Sequence, residues 1–352
     1  MLIEKIELSN VRIFEKYSCD FKPGINLIYG ENGRGKTTIL EAIHYLSLGK
    51  SFKPGLKKNT IRKGEKGFQI RGKIIDQYKK SKFIGVNISD DKQKVTVDNS
   101  SLNSIVELVG LLPVVIMSPE DVNILDGGGS IRRSFFDRIF SIVDRRYLLQ
   151  LKEYKRILKQ RRIVLLNNDS KSLNIWTEKL AESAISLWSK RAKYIQQYSD
   201  IFDTCWNSEF SELLSEMRYE TKATETTEDF LKAVEGLQKQ EMLRKSNLFG
   251  PHKDDFTFYY NGLPVKHFAS QGEKKTVLTA IKHAESLFFQ NYLKTSPLLL
   301  LDDLFAKLDN TRGLRTIRLL GSQFQTIITS TDQNVSELID EHQDNIQKIH
   351  LN

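Results

Sequence analysis

An eight-residue run near the amino terminus has the residue types that hold a nucleoside triphosphate. It reads GENGRGKT from Gly30 to Thr37, and it matches the pattern G-x-x-x-x-G-K-[ST] between an apolar run and a helix-like segment. Its glycines let backbone N–H groups approach phosphates, while Lys36 is expected on the β- and γ-phosphates and Thr37 on Mg²⁺. The motif alone is also compatible with a Gly-rich surface turn. The residues predicted to bind ATP here are Gly30, Glu31, Asn32, Gly33, Arg34, Gly35, Lys36, Thr37 and Thr38.

A pair of acids far downstream supplies the groups that this phosphate loop lacks. Leu298–Leu301 is followed by Asp302 and Asp303, which is the pattern of a buried strand that ends in two carboxylates. Phosphate-loop enzymes hold Mg²⁺ with an acid at this place, so we assign Asp302 to the metal with Thr37. We assign Asp303 to polarising the attacking water. The predicted catalytic set is Lys36, Asp302 and Asp303, although a buried strand that ends in a polar turn gives the same pattern.

The distance in sequence between Lys36 and Asp302 indicates a large insertion, which a compact GTPase or kinase domain does not need. The chain resembles the ABC-type ATPases in this layout. It is also similar to them in a segment about one helix before the acidic strand. There Ser270, Gln271 and Gly272 stand where that family carries its signature for the γ-phosphate.

The same segment has a purely structural alternative. Ser270 followed by Glu273 is a capping box, which marks the start of a helix. Both interpretations can hold, because a capped helix N-terminus is also a phosphate receptor. Asp309 stands where the ABC-type family has its D-loop, and residues 327–331 resemble its switch strand without the usual histidine.

Periodicity predicts the elements that position these residues. Apolar alternation predicts strands over residues 2–8, 17–21 and 25–29, a helix from about residue 36, a small antiparallel sheet within 68–97 and a buried strand at 112–117. From residue 131 to about 237 the pattern is helical, with no strand signal. A strand at 256–260 precedes the hairpin turn Asn261-Gly262, and a helix is expected from about residue 272 to 292.

These elements predict an α/β fold: an ABC-type P-loop ATPase head with an antiparallel β subdomain and an inserted helical lobe. The ATPase lobe is expected to comprise residues 1–125 plus 245–352, and the helical lobe residues 126–244.

The composition narrows the class of protein. The net charge of +9 suits an anionic partner, although many proteins with such a charge bind none. Cys19 and Cys205 lie far apart and outside metal-ligand spacing, which favours a reducing cytoplasm. The longest apolar stretch, residues 108–117, is about half of the roughly 20 residues that span a bilayer. We therefore expect a cytoplasmic protein without a membrane partner.

Basic residues concentrate between residues 131 and 164 and after the phosphate-loop helix. Arg132 and Arg133 fall in the first turn of a helix, where the dipole disfavours positive charge, so an external anion is expected to neutralise them. The alternative is an ordinary solvated face. No base-reading motif is visible, so binding through phosphates with little sequence preference is expected. The predicted DNA contacts are Lys57, Lys58, Arg132, Arg133, Arg138, Arg145, Arg146, Lys155, Arg156 and Lys159.

Several segments together make most of the chain similar to the RecF family of bacterial recombination and gap-repair ATPases, relatives of SMC heads. They are NLIYG at 26–30, GKSFK at 49–53, SPED at 118–121, GPHKDD at 250–255 and SQG at 270–272. The resemblance implies an ATP-dependent homodimer in which Lys36 of one protomer faces Ser270 and Gly272 of the other. It implies that the dimer holds gapped or duplex DNA and that hydrolysis releases it. It further implies partnership with RecR-type and RecO-type mediators in recombinase loading.

Two other functions stay open from the sequence. An ATPase subunit of a membrane transporter has the same core but also a Leu-Ser-Gly-Gly-Gln signature and a switch histidine, neither of which occurs here. A binding protein that uses ATP only structurally is distinguished by a measurement of hydrolysis.

Overall fold

The structure, a computed structural model, describes residues 1–53, 55–90, 92–209, 215–303, 323–331 and 346–351. Its strands are β1 (Leu2–Val11), β2 (Phe14–Asp20), β3 (Ile25–Tyr29), β4 (Gly67–Ile75), β5 (Ser81–Ser89), β6 (Lys92–Val97), β7 (Ser100–Ser101), β8 (Val114–Met117), β9 (Ser215–Glu220), β10 (Asp255–Tyr260), β11 (Leu263–Pro264), β12 (Leu298–Leu301), β13 (Thr326–Ser330) and β14 (Gln347–His350). Its α-helices are α1 (Lys36–Leu48), α2 (Asn123–Asp126), α3 (Gly129–Val143), α4 (Arg145–Asn167), α5 (Ser170–Glu209), α6 (Thr227–Arg244), α7 (Val265–Phe268) and α8 (Gln271–Leu293). Short 3-10 helices lie at Lys57–Thr60, Ile105–Glu107, Pro119–Val122 and Pro251–Lys253.

Two compact units make up the chain: Met1–Asp121 with Ile281–Asn352, and Val122–Ala280. The first contains an antiparallel sheet of six strands in the order β2-β1-β4-β5-β6-β7. Alternate residues of β4, such as Phe68 and Ile70, are buried, and this face packs on α1. A Cβ added at Gly72 would overlap Leu46 of α1, so the contact is close. The period of two thus places one face of the sheet in the core.

The second sheet of this unit is parallel and has the strand order β14-β3-β13-β12-β8. Strands β3, β8, β12 and β13 are almost wholly buried, because both faces of the sheet are covered there, and β12 consists of four leucines. The edge strand β14 is only partly buried. The carboxyl ends of parallel strands lie at one edge, where ligands of such sheets bind. This topology brings the loop after β3 and the acids after β12 to the same edge, with β13 between them.

The unit Val122–Ala280 combines helices α3 to α6 with a small sheet in the order β11-β10-β9. The expectation of an uninterrupted helical region up to residue 237 is wrong, because β9 lies inside it. Only Met217 of β9 is buried, so the strand has almost no periodic signal and owes its conformation to pairing with β10. Of the helices that the structure describes, none has both the length and the apolarity needed to cross a bilayer.

The boundary between the two units differs from the one drawn on the sequence. Residues 245–280 belong with the helical unit rather than with the ATPase lobe. The reason is that β10 pairs with β9, and the ring of Phe256 lies 4.2 Å from that of Phe136 in α3. A strand signal at residue 256 does not reveal which partner the strand takes.

A buried arginine joins three helices of this unit. Arg161 of α4 is 1% exposed; it donates to Glu241 of α6 at 2.6 Å, to Thr177 of α5 at 2.9 Å and to Asn247 at 2.7 Å. Glu241 is fully buried and also accepts a hydrogen bond from Leu248 N at 2.7 Å. The guanidinium has no access to water, so its solvation depends on these partners.

We expect Glu241→Ala to lower the free energy of unfolding by about 3–5 kcal/mol, because it leaves the Arg161 charge buried and unpaired. Glu228→Ala on the same helix removes the exposed i,i+4 pair with Lys232 and should cost less than about 1 kcal/mol. Urea unfolding followed by circular dichroism measures both. Equal shifts of the two midpoints would contradict the role given to Arg161.

Candidate nucleotide site

The phosphate loop connects β3 to α1 and depends on glycine at two positions. Gly30 has φ 147° and Gly35 has φ 91°, values that side chains rarely adopt. A Cβ on Gly30 would overlap the carbonyl oxygen of Leu351, and one on Gly35 would lie 2.6 Å from the Phe14 ring. The first N–H groups of α1 have no acceptor within the helix, so they point into the loop and suit an anion.

The Lys36 side chain folds back onto the backbone of this loop. Its Nζ donates to Gly30 O at 2.6 Å and to Glu31 O at 2.8 Å, and the residue is 8% exposed. Burial lowers the pKa of Lys36, while the charges of Asp303 and Asp302 act in the opposite direction. The ammonium thus has two carbonyl acceptors and two carboxylates nearby, an arrangement that keeps it within reach of a phosphate in the loop.

Asp302 is held by hydroxyl groups from two other elements. Its Oδ1 accepts from Thr37 Oγ1 at 2.9 Å and from Thr329 Oγ1 at 2.8 Å. Burial raises the pKa of Asp302, whereas the two hydrogen bonds and the charge of Lys53 lower it. The structure therefore brings Thr37 and Asp302, the pair assigned to Mg²⁺ from the sequence, into direct contact.

Asp303 has a backbone and a side chain that set it apart from Asp302. Its φ is 50°, and its N–H donates to Thr329 Oγ1 at 2.9 Å. Its Oδ1 is buried and has no hydrogen-bond partner among the described residues. A buried carboxylate oxygen normally has a donor or a cation, so this atom fits a site for a bound ion or water.

Two groups of residues to which the sequence assigned no site role support the site. Thr329, within the segment 327–331 that resembles a switch strand, donates to Asp302 Oδ1 and accepts from Asp303 N. Glu41, fully buried on α1, accepts from Ser51 Oγ at 2.5 Å, and that hydroxyl accepts from Lys53 N at 2.9 Å. Glu41 also forms a bidentate pair with Arg12. This network fixes the segment that carries Lys53 beside Asp302.

The remaining predicted nucleotide residues lie in different settings. Glu31 and Arg34 form an exposed pair at 2.8 Å, Asn32 is exposed, and Thr38 is buried in the first turn of α1. Asp309 lies outside the described residues.

The segment of Ser270, Gln271 and Gly272 lies in the helical unit and begins α8. Ser270 N donates to Glu273 Oε2 at 2.7 Å, and Glu273 N donates to Ser270 Oγ at 3.3 Å. The capping box expected from the sequence is therefore present, and it fixes this helix start.

Arg132 and Arg133 do not need the external anion that their position suggested. Arg132 is 8% exposed and forms a bidentate pair with Asp255, both distances being 2.8 Å. Arg133 donates to the Asp254 carbonyl at 2.5 Å. The anion at the start of α3 is thus internal, and its burial with Asp255 removes Arg132 from the predicted DNA surface. Arg133 is partly exposed and stays a predicted DNA contact.

The other predicted DNA contacts are at the surface. Five of them, Arg145, Arg146, Lys155, Arg156 and Lys159, have exposed side chains on α4. Arg156 pairs with Glu153 at 2.6 Å, and the partly exposed Arg138 of α3 lies over the Phe135 ring. Lys57 and Lys58 are exposed in the other unit, where Lys57 donates to Gln93 at 2.7 Å.

The segment Gly250 to Asp255 is structural rather than solvated. Asp254 accepts from Arg191, Trp188, Tyr219 and Thr221. The ring nitrogens of His252 contact Tyr154 Oη and Asn247 O. Burial lowers the pKa of His252 to about 4, so the ring is neutral at pH 7.

Comparison of the sequence with known proteins identifies the family of this chain. A family model of the AAA domain matches residues 5–288. The DNA replication and repair protein RecF of Moorella thermoacetica is 31% identical over 94% of this chain and 90% of its own length. The chain belongs to the RecF family. The RecF protein of Chlorobium luteolum is 32% identical, with 94% of each chain covered.

Solved structures support the same assignment. A structure described as the recombination mediator protein RecF-ATP in the RecFOR pathway superposes with a TM-score of 0.87 and 28% identity, covering 94% of this chain and 92% of that one. An Smc head domain from Pyrococcus furiosus superposes with a TM-score of 0.54 and 16% identity, covering 99% of this chain and 94% of that one. The Smc likeness shows that this chain shares the fold of that head domain.

The raised pKa of Asp302 gives a prediction about the nucleotide-free protein. A carboxyl whose pKa is raised by folding stabilises the fold at low pH, and this contribution is lost as the pH rises through the folded pKa. We therefore expect Asp302→Asn to be more stable than the wild type at pH 7, with a difference that disappears under acidic conditions. Urea midpoints measured from about pH 3 to pH 8 test this, and the points below the ordinary aspartate pKa of 3.8 are the internal control. A variant less stable than the wild type at pH 7 would contradict it.

Proposed function

We propose that this RecF-family chain is an ATP-dependent DNA-binding protein that acts in recombinational repair and at replication gaps. The observation that carries the proposal is the meeting of Lys36, Thr37, Asp302 and Asp303 at one edge of the parallel sheet. The similarity to a RecF solved with ATP supports ATP as the nucleotide. DNA, ATP and reduced, buried cysteines at positions 19 and 205 suit the cytoplasm.

On this proposal, the loop binds the triphosphate through backbone groups and one cation. Lys36 exchanges its two carbonyl acceptors for β- and γ-phosphate oxygens, and the α1 N-terminus adds a favourable dipole. Residues 30 to 38 would surround the bound triphosphate. The low exposure of Lys36 strengthens its attraction to phosphate, because water screens the charge less.

The donor set also fits Mg²⁺, which prefers hydroxyl and carboxylate oxygens. Thr37 and Asp302 would hold it, and the unpartnered Asp303 oxygen lies in the neighbouring carboxylate. The bound ion would neutralise negative charge on the β- and γ-phosphates. Asp303 would orient the attacking water and accept its proton, with Thr329 holding the backbone of Asp303 in place.

We further propose that ATP joins two protomers. The helix start at Ser270, Gln271 and Gly272 would then face the γ-phosphate bound by Lys36 of the other protomer, with Asp309 at the same junction. Free N–H groups in the first turn of α8 suit this task, because the capping box satisfies the Glu273 N–H but not those before it. Closing the dimer would hold gapped or duplex DNA, and hydrolysis would release it.

The basic face of α4 would contact the DNA backbone, together with Lys57, Lys58 and Arg138. Such contacts recognise phosphate and shape with little sequence preference. Partners of the RecR and RecO type follow from the similarity to a RecF solved as part of the RecFOR pathway. An ATPase subunit of a transporter is not supported, since relatives matching nearly the whole chain are DNA replication and repair proteins.

Two substitutions should separate ATP binding from hydrolysis. Lys36→Met should abolish ATP-dependent dimerisation, because it removes the cation from the loop. Asp303→Asn should keep the dimer but slow turnover by about 100-fold or more, since a positioned base contributes that much. Light scattering and a phosphate-release assay measure these effects. Lys16→Met, at an exposed position on β2 and outside the loop, is the control for Lys36. Unchanged turnover in Asp303→Asn would remove Asp303 from the catalytic set and leave ATP as a structural ligand.

Charge reversal should locate the DNA surface. We expect Lys155→Glu and Lys159→Glu to weaken ATP-dependent DNA binding, because each phosphate contact contributes a log–log salt slope of roughly −0.9. Lys239→Glu, at an exposed position on α6, is the matched control. Fluorescence anisotropy on gapped, duplex and single-stranded DNA at several salt concentrations gives the slopes. Slopes that do not change in either α4 variant would exclude the α4 face.

A further inference from the structure

The outer face of the antiparallel sheet forms a groove that the proposed nucleotide and duplex sites do not use. The inner face of strands β1, β4 and β5 packs on α1, and Val95 of β6 lies in the same core, so the intervening residues point to solvent. They line a groove of about 690 Å³.

The groove is positively charged. Its lining includes four cations and one carboxylate, that of Glu7. Lys5 pairs with Glu7 at 2.8 Å, and Lys73 pairs with Glu4 at 2.7 Å. Among the described residues, Arg71 and Lys94 have no acidic partner within 4 Å. Two cations on strands β4 and β6 are therefore available to an anionic ligand.

An aromatic ring and two amides lie in the same face. Phe83 is 54% exposed, an unusual setting for a large apolar ring on a strand. Gln69 and Asn87 are opposite each other in the ladder, and Asn87 is opposite Lys94. Neither amide forms a side-chain hydrogen bond within the described part of the chain. Such a face offers a stacking surface and hydrogen-bonding groups between two cations.

A glycine gives this face its depth. Gly85 lies between Arg71 of β4 and Thr96 of β6 in the register. A Cβ there would come within 2.6 Å of Thr96 Oγ1, so any side chain would fill the space. The missing side chain leaves a flat-bottomed depression next to Phe83, which suits a planar group.

We infer that this face binds a short stretch of single-stranded nucleic acid. Sheets that bind single strands use exposed aromatic rings for the bases and cations for the phosphates. Neighbouring strands are about 4.8 Å apart, so the width from β1 to β6 is about 14 Å, enough for two or three nucleotides. An acidic peptide would match the cations but would make no use of the Phe83 ring or the amides. The bases of a duplex are stacked on one another and could not reach the ring.

Binding of a fluorescent decathymidylate without ATP tests this assignment. Phe83→Ala should weaken binding by about five- to a hundred-fold, because stacking of a base on an aromatic ring contributes that much. Phe83→Trp should retain the affinity, and Tyr78→Ala, which removes a 73% exposed ring from the β4–β5 turn, should not change it. Equal affinities for all four proteins would overturn the assignment.

Arg71→Glu and Lys94→Glu should each weaken decathymidylate binding and reduce the salt slope by roughly 0.7, the value per phosphate for single strands. Lys80→Glu, exposed in the β4–β5 turn, is the matched control. An iodouracil-substituted decamer should cross-link to the peptide that spans residues 69–99. Cross-links confined to other parts of the chain would refute the site. Displacement of the decamer by polyglutamate at equal charge concentration, with Phe83→Ala unaffected, would instead identify an acidic-peptide site.

Discussion

The site depends on the sharing of one carboxylate oxygen by two threonine hydroxyls. Asp302 Oδ1 accepts a hydrogen bond from the hydroxyl of Thr37, at the start of α1, and another from the hydroxyl of Thr329, near the end of β13. The carboxylate is mostly buried, so its charge is tolerable only where such donors are in place. The contact is possible only with β13 between β3 and β12. The sheet order, the start of α1 and the conformation of Asp303 are therefore linked through this oxygen.

The parts of the site that local sequence encodes could be predicted. β3, the glycine loop and β12 with its two acids each consist of an apolar run followed by a distinctive polar group. The role of Thr329 could not be predicted, because it follows from the order of strands that are distant in sequence. Arg132 shows a related limit. Its conflict with the helix dipole was identified correctly, but the anion that resolves it, Asp255, comes from a strand 123 residues away.

Helix α4 shows why a count of basic residues overstates a binding surface. Its buried positions include Tyr147, Tyr154 and Arg161, spaced seven residues apart on one face. Periodicity thus places Arg161 in the core although its neighbour Arg162 is exposed. The sequence did not predict strand β9, because its single buried residue, Met217, gives no periodic pattern. It did not predict the boundary at residue 280 either, because the sequence of a strand does not show which other strand it pairs with.

The support of the phosphate loop by β14 has a consequence for synthesis of the protein. β3 pairs with β13 and β14, and Leu351 N donates to Tyr29 O at 2.9 Å just before Gly30. A nascent chain emerges from its amino terminus, so β3 is made long before either neighbour. Contacts of such large sequence separation form late in folding. A ribosome-bound fragment that stops before residue 326 therefore has the nucleotide motif but not the sheet that shapes it.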